Sequence, residues 1–148
     1  MCKSGWENRM DERFLQIREF QGDGFQPLIY FGGWRVAILR FEEDTRAEGI
    51  ATMERHTETD EVFVLTRGKG VLLIGGDGAK VDGVSPAPME PGKIYNVRCN
   101  VWHAILLSRD ASILIVENHD TGSGNSEYMQ LTRQQCAQIV DIAKDEEV

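Results

Sequence analysis

The stretch TMERHTETDEVFVLTRG, Thr52 to Gly68, brings Glu54, His56, Glu58, Asp60 and Glu61 together and then turns apolar. Side chains of a strand alternate between its two faces, so in TMERH Thr52, Glu54 and His56 share one face while Met53 and Arg55 share the other. Two side chains able to ligate a metal therefore point the same way. The following TETD is long enough for a tight turn, and in EVFVLT the residues Glu61, Phe63 and Leu65 form one face. If that turn pairs the two strands in one sheet, Glu61 sits beside His56. Glu58 and Asp60 read as solvated turn residues.

Working outward, the chain repeats a rhythm of strand, glycine, strand. FQPLIYF and WRVAILRFEE flank Gly32-Gly33, the signature of a hairpin, because glycine supplies the positive φ of a two-residue turn. Further apolar runs, KGVLLIG, IYNV, WHAILLS and SILIVE, are bounded by glycine, proline, aspartate or asparagine. Short strands at such spacing predict a barrel or sandwich. In WHAILLS, His103 shares a face with Ile105 and Leu107 and follows Asn100, a residue that tolerates the left-handed conformation. Glu54, His56, Glu61 and His103 can thus converge inside a barrel.

Only the end of the chain reads as helix. In LTRQQCAQIVDIAK, Thr132 and Gln135 have capping-box spacing and Leu131 and Cys136 the spacing of a hydrophobic staple. Cys136, Ile139, Val140 and Ala143 make one apolar stripe, which predicts a helix over residues 133–144 with Cys136 in the core. The closing DEEV places carboxylates at the negative end of the helix dipole and is expected to fray.

The totals narrow the function. At 148 residues the chain fits one domain, residues 1–148, with a barrel core over about 25–118. A formal net charge of −8 without a basic cluster argues against nucleic acid or an anionic membrane as partner. Cys2, Cys99 and Cys136 are odd in number and form no C-x-x-C pair, which argues against a disulfide framework and for a reducing, cytoplasmic setting. MCKSGWENRMDERFLQ lacks the apolar core of a signal peptide, and no run approaches the roughly 18 apolar residues of a membrane span. Phe14, Leu15, Ile17 and Phe20 of RFLQIREF offer more apolar surface than a short flank needs, which favours a homodimer. Tyr30, Trp34, Phe63, Tyr95 and Trp102 read as barrel packing, and Arg40 and Arg98 as members of surface ion pairs.

Two segments carry a family resemblance. Glu54-x-His56-x4-Glu61-x6-Gly68 resembles the first cupin motif, G-x5-H-x-H-x3,4-E-x6-G, and Gly92-x5-Arg98-x-Asn100-x2-His103 resembles the second, G-x5-P-x-G-x2-H-x3-N. Glu54 stands in place of the first histidine and Gly49 is one residue out of register. Arg98, Asn100 and Leu107 replace the proline, the second glycine and the final asparagine. Taking His56 as the first histidine would make Glu58 the second ligand, but the register with Glu54 keeps both the x4 and the x6 spacings.

The resemblance implies an all-β, cupin-like double-stranded β-helix (jelly-roll) barrel, here with a C-terminal α-helix, and a divalent metal ion held by Glu54, His56, Glu61 and His103. Two imidazoles and two carboxylates suit Fe²⁺, Mn²⁺, Ni²⁺ or Zn²⁺. The expected function is metal-dependent chemistry on a small-molecule ligand, a polar metabolite, of isomerase, lyase or oxygenase type. A non-catalytic binding module and a vestigial site in a structural dimer are the alternatives.

Overall fold

The computed structural model describes residues 10–148. Ten strands precede one helix: β1 (Phe25–Phe31), β2 (Trp34–Arg40), β3 (Thr52–His56), β4 (Glu61–Arg67), β5 (Gly70–Ile74), β6 (Ser85–Pro88), β7 (Tyr95–Val97), β8 (His103–Leu107), β9 (Ser112–Asn118), β10 (Ser126–Gln130) and α1 (Arg133–Asp145). They form two five-stranded antiparallel sheets, in the orders β1-β2-β9-β4-β7 and β10-β3-β8-β5-β6. The β1–β2 hairpin closes through Gly32-Gly33, with Phe31 opposite Trp34 and Gly32 at φ 54.

The inner faces of both sheets bury one core. Ala37, Leu39, Phe63, Leu65, Ile113 and Ile115 come from the first sheet, and Leu72, Ile105 and Leu107 from the second. The second sheet is apolar on its outer face too, where Met53, Val71, Leu73, Trp102 and Leu106 meet Leu131, Ile139, Ile142 and Ala143 of the α1 region. This two-sided burial explains why β5 reads as the unbroken run GVLLI. Trp102 is 2% exposed, donates Nε1–H to the Gly78 carbonyl at 3.0 Å, and lies under the Arg55 guanidinium, 4.3 Å from its ring centre.

α1 begins where the capping box predicts: Thr132 accepts from the Gln135 amide at 3.2 Å, and Gln135 Oε1 accepts from the Thr132 amide at 2.9 Å. Where fraying is expected, the structure shows a hydrogen-bonded end. Glu147 adopts φ 55, its amide bonds to the Lys144 carbonyl, and the Val148 amide bonds to the Ala143 carbonyl at 2.9 Å. This pattern satisfies the last carbonyls and packs Val148 against the outer core.

Other expectations are also corrected. β3 and β4 do not pair; their turn crosses from one sheet to the other, so His56 and Glu61 meet across the barrel. Phe63 and Trp102 are buried, but Tyr30 and Trp34, which flank the β1–β2 turn, are 56% and 43% exposed. Arg98 does pair with Asp60, at 3.2 Å, whereas Arg40 Nη1 donates to Gln21 Oε1 at 3.1 Å and finds no carboxylate among the described residues. Gly49 is explained by close approach: a Cβ there would lie 1.9 Å from the Glu43 carbonyl oxygen.

Cys99 and Cys136 are unpaired thiols, and Cys2 lies outside the described residues, as do most of the residues on which the leader expectation rests. No helix among the described residues is long and apolar enough to cross a membrane.

Candidate metal centre

Three strands and two sheets build the site. Glu54 lies mid-β3 and pairs in register with His103, the first residue of β8, while His56 ends β3 opposite Ser126 of β10. Glu61, the first residue of β4, reaches in from the other sheet. The loop before β8 is set by Asn100 at φ 66, whose amide bonds to the His56 carbonyl at 2.8 Å. Asp60 is more than a solvated turn residue. Its carboxylate accepts from the Cys99 amide at 2.7 Å and from Asn96 Nδ2 at 3.0 Å, tying the β3–β4 turn to the loop that carries His103. Glu58 is exposed.

All four residues singled out by the sequence converge, with one ligand atom of each lying within 4.8 Å of the others. Glu61 is central: its Oε2 lies 2.8 Å from His56 Nε2 and 2.9 Å from His103 Nε2. Glu54 Oε1 is 4.0 Å from His56 Nε2, and its side chain is 39% exposed, so of the four it is the one open to the cavity. His56, Glu61 and His103 are buried.

The ring nitrogens facing away define the chemistry. His103 Nδ1 is 2.9 Å from the Val101 carbonyl oxygen, which can only accept, so Nδ1 carries the hydrogen. A neutral His103 then turns an Nε2 lone pair toward the Glu61 oxygen. That contact is favourable only if a positive charge occupies it, either a proton on Nε2 or a metal ion. An imidazole that donates its other N–H to a backbone carbonyl is the usual metal-ligand arrangement, and His56 Nδ1 is likewise tied to Ser126 Oγ at 2.8 Å.

The ionisation of these groups follows. Burial alone would push Glu61 up, but hydrogen bonds from His103 and His56 outweigh it and bring its carboxyl to about 2. Burial alone would lower both histidines, and the Glu61 carboxylate instead holds each above its ordinary value. Glu54 is raised by burial and then by the neighbouring Glu61 charge.

Two further residues, absent from the expected set, face the same cavity. Glu117 on β9 has a side chain 3% exposed and pairs in register with Arg35 of β2, whose Nη2 donates to Glu117 Oε1 at 2.7 Å. Burial, followed by the charge of Glu61, pushes Glu117 up to about 7 against the pull of Arg35. The signal was present in SILIVEN: Ile113, Ile115 and Glu117 alternate on the inward face, so a carboxylate occupies a core position. The cavity bounded by these groups measures about 390 Å³ and is floored by Phe63, Ile105 and Ile115.

No family model matches the chain, and no curated protein matches it. Solved structures do. A cupin 2 conserved barrel domain protein from Rhodopseudomonas palustris is 17% identical over 79% of this chain and 76% of that chain, with a TM-score of 0.51. A variant of Streptomyces PAC13 with uridine is 11% identical over 78% and 85%, with a TM-score of 0.54. CapF with the inhibitor 3-isopropenyl-tropolone is 16% identical over 76% of this chain and 34% of that chain, also at 0.54. Fold and motif geometry agree: the chain is a cupin barrel whose interior holds a His/Glu cluster that could hold a metal ion.

Proposed function

We propose that Glu54, His56, Glu61 and His103 hold one divalent ion of the Fe, Mn, Ni or Zn type and that the protein is a metal-dependent enzyme acting on a small polar metabolite in the barrel. The observation that carries this reading is the Glu61 oxygen facing two imidazole nitrogens, with the other nitrogen of His103 committed to the Val101 carbonyl so that Nε2 is the one left to meet a proton or a metal ion. Two carboxylates and two neutral imidazoles offset a dication, which in turn lowers the cost of burying Glu61. A bound ion would supply Lewis-acid polarisation of a substrate oxygen.

The protein's own residues do the rest. Val101 and Ser126 orient the two imidazoles, Phe63 packs edge-on to His103 at 6.0 Å between ring centres and screens it from water, and Glu54 presents an oxygen to the cavity where it can accept or return a proton. Four protein ligands leave at most two positions of an octahedron, enough for a bidentate hydroxy-carbonyl group, which favours isomerase or lyase chemistry over dioxygen chemistry. The cavity volume lies at the small-metabolite end of ligand pockets, which run from roughly 300 to 1,000 Å³. Structures of like fold are described with small molecules, PAC13 with uridine and CapF with an inhibitor. The unpaired thiols of Cys99 and Cys136 support a reducing, cytoplasmic setting.

Elemental analysis of freshly purified protein, followed by an untargeted metabolite screen of the metal-loaded form, tests the proposal. One ion per chain and turnover of a metabolite are expected. Metal without turnover would leave a binding module, and absence of metal would leave a vestigial site.

A further inference from the structure

We infer, resting on the metal-centre reading above, that the cavity selects an uncharged or cationic substrate rich in hydrogen-bond donors, a polyol or an amine, and that Glu117 is the wall carboxylate that positions it. The Glu117 side chain is almost fully buried, yet Arg35 occupies only its Oε1, through Nε at 3.2 Å and Nη2 at 2.7 Å. Oε2 accepts no hydrogen bond among the described residues and lies 3.9 Å from His56 Nε2, beside the metal centre. A molecule held at the centre therefore meets a fixed acceptor at its next polar group.

The remaining walls point the same way. Glu42, Asp44, Glu54, Glu61 and Glu117 line the cavity, and Arg35 is the one lysine or arginine among the described lining residues. Four of its five N–H donors are already engaged: besides the two on Glu117, Nη2 donates to the Thr121 carbonyl at 2.9 Å and Nη1 to the His119 carbonyl at 3.3 Å. Away from the ion itself, a phosphate or carboxylate on the substrate finds no side-chain cation free to receive it, and even with a divalent ion bound the carboxylates stay in excess. An ammonium or a hydroxyl instead donates to Glu117 Oε2.

The test is calorimetric titration of zinc-loaded protein with D-glucose, D-glucosamine and D-glucose 6-phosphate, probes that differ chiefly in charge, on the native chain and on Glu117→Gln, with zinc content measured in parallel. The amine is expected to bind most tightly. Loss of the charged acceptor in Glu117→Gln should weaken the amine by about tenfold, and more than it weakens glucose, while zinc content stays unchanged. Tightest binding of the phosphate, no binding of any probe, or an unchanged amine preference in Glu117→Gln each overturns the inference. Loss of zinc from Glu117→Gln does so too, by making Glu117 a metal ligand. A native chain that takes up no zinc is a failure of the metal-centre reading instead, and the same charge series on the metal-free protein still decides the inference.

Discussion

His103 Nε2 lies 2.9 Å from Glu61 Oε2, and this contact joins the first strand residue of β8 in one sheet to the first strand residue of β4 in the other. Both side chains are buried. The pair is at once the core of the candidate metal centre and a polar link between the two halves of the barrel.

Replacing His103 by alanine should therefore act twice. Glu61 would lose one of its two partners in a buried setting, and breaking a buried ion pair from one side costs about 3–5 kcal/mol. Metal uptake should also vanish, and with it the extra stability of the loaded protein, about 4 kcal/mol at a free ion concentration 1,000-fold above Kd. Thermal unfolding with and without zinc separates the two effects. An alanine variant that melts like the native chain in both conditions contradicts the assignment.

The metal-free protein should be sensitive to pH on both sides. His56 and His103 are held above their ordinary value of 6.5, so their contribution is complete below that pH and is lost as pH rises through the folded-state values. Glu61 is held near 2, so its contribution is present above the ordinary 4.5 and is lost as pH falls toward about 2. In chelator, the melting temperature should fall as pH rises above 6.5, and saturating zinc should flatten that fall by replacing the proton at Nε2. His103→Gln should remove its share of the alkaline slope and leave that of His56. A slope unchanged in that variant contradicts the pairing.

The register of the first motif can be decided by two substitutions. Glu58 is exposed in the turn, its carboxylate only 3.4 Å from Asn125 Nδ2, so Glu58→Ala should leave metal content and stability unchanged. Glu54→Ala should weaken metal binding, and Glu54→His should retain metal while shifting preference toward ions that favour nitrogen. Metal loss in Glu58→Ala with retention in Glu54→Ala would contradict the ligand set.

Much of this architecture was legible because local chemistry and tertiary demand coincide. Gly68 sits at φ 72, and a Cβ there would come 2.7 Å from Ala111 Cα, so the motif glycine is required by its own position. Asn100 and the Thr132/Gln135 cap were readable for the same reason. β6 and β10 were not. SPAP carries two prolines, tolerated because β6 is an edge strand, and SEYMQ is polar because β10 is the opposite edge of the same sheet. Nor does sequence spacing tell a hairpin from a crossing between sheets, so the partnership of His56 with Glu61 was expected along one sheet and occurs across the barrel.

A homodimer remains the expected assembly. Phe14, Leu15 and Ile17 are 78%, 48% and 52% exposed, and β1, an edge strand of its sheet among the described residues, leads into the exposed Phe31 and Trp34. Sedimentation equilibrium at micromolar concentration should give twice the chain mass, and Phe14→Glu with Ile17→Glu should shift it toward the monomer. A monomeric native chain removes the claim.

The central claim is that one divalent ion sits between Glu61 and the two histidines. Calorimetric titration of the metal-free protein with zinc tests it most directly, run beside Glu61→Gln, which keeps the shape of the side chain and removes the charge that both imidazoles face. The account predicts one site per chain with release of protons in the native protein and no saturable site in the variant. Equal binding by both, or none by the native chain, would contradict it.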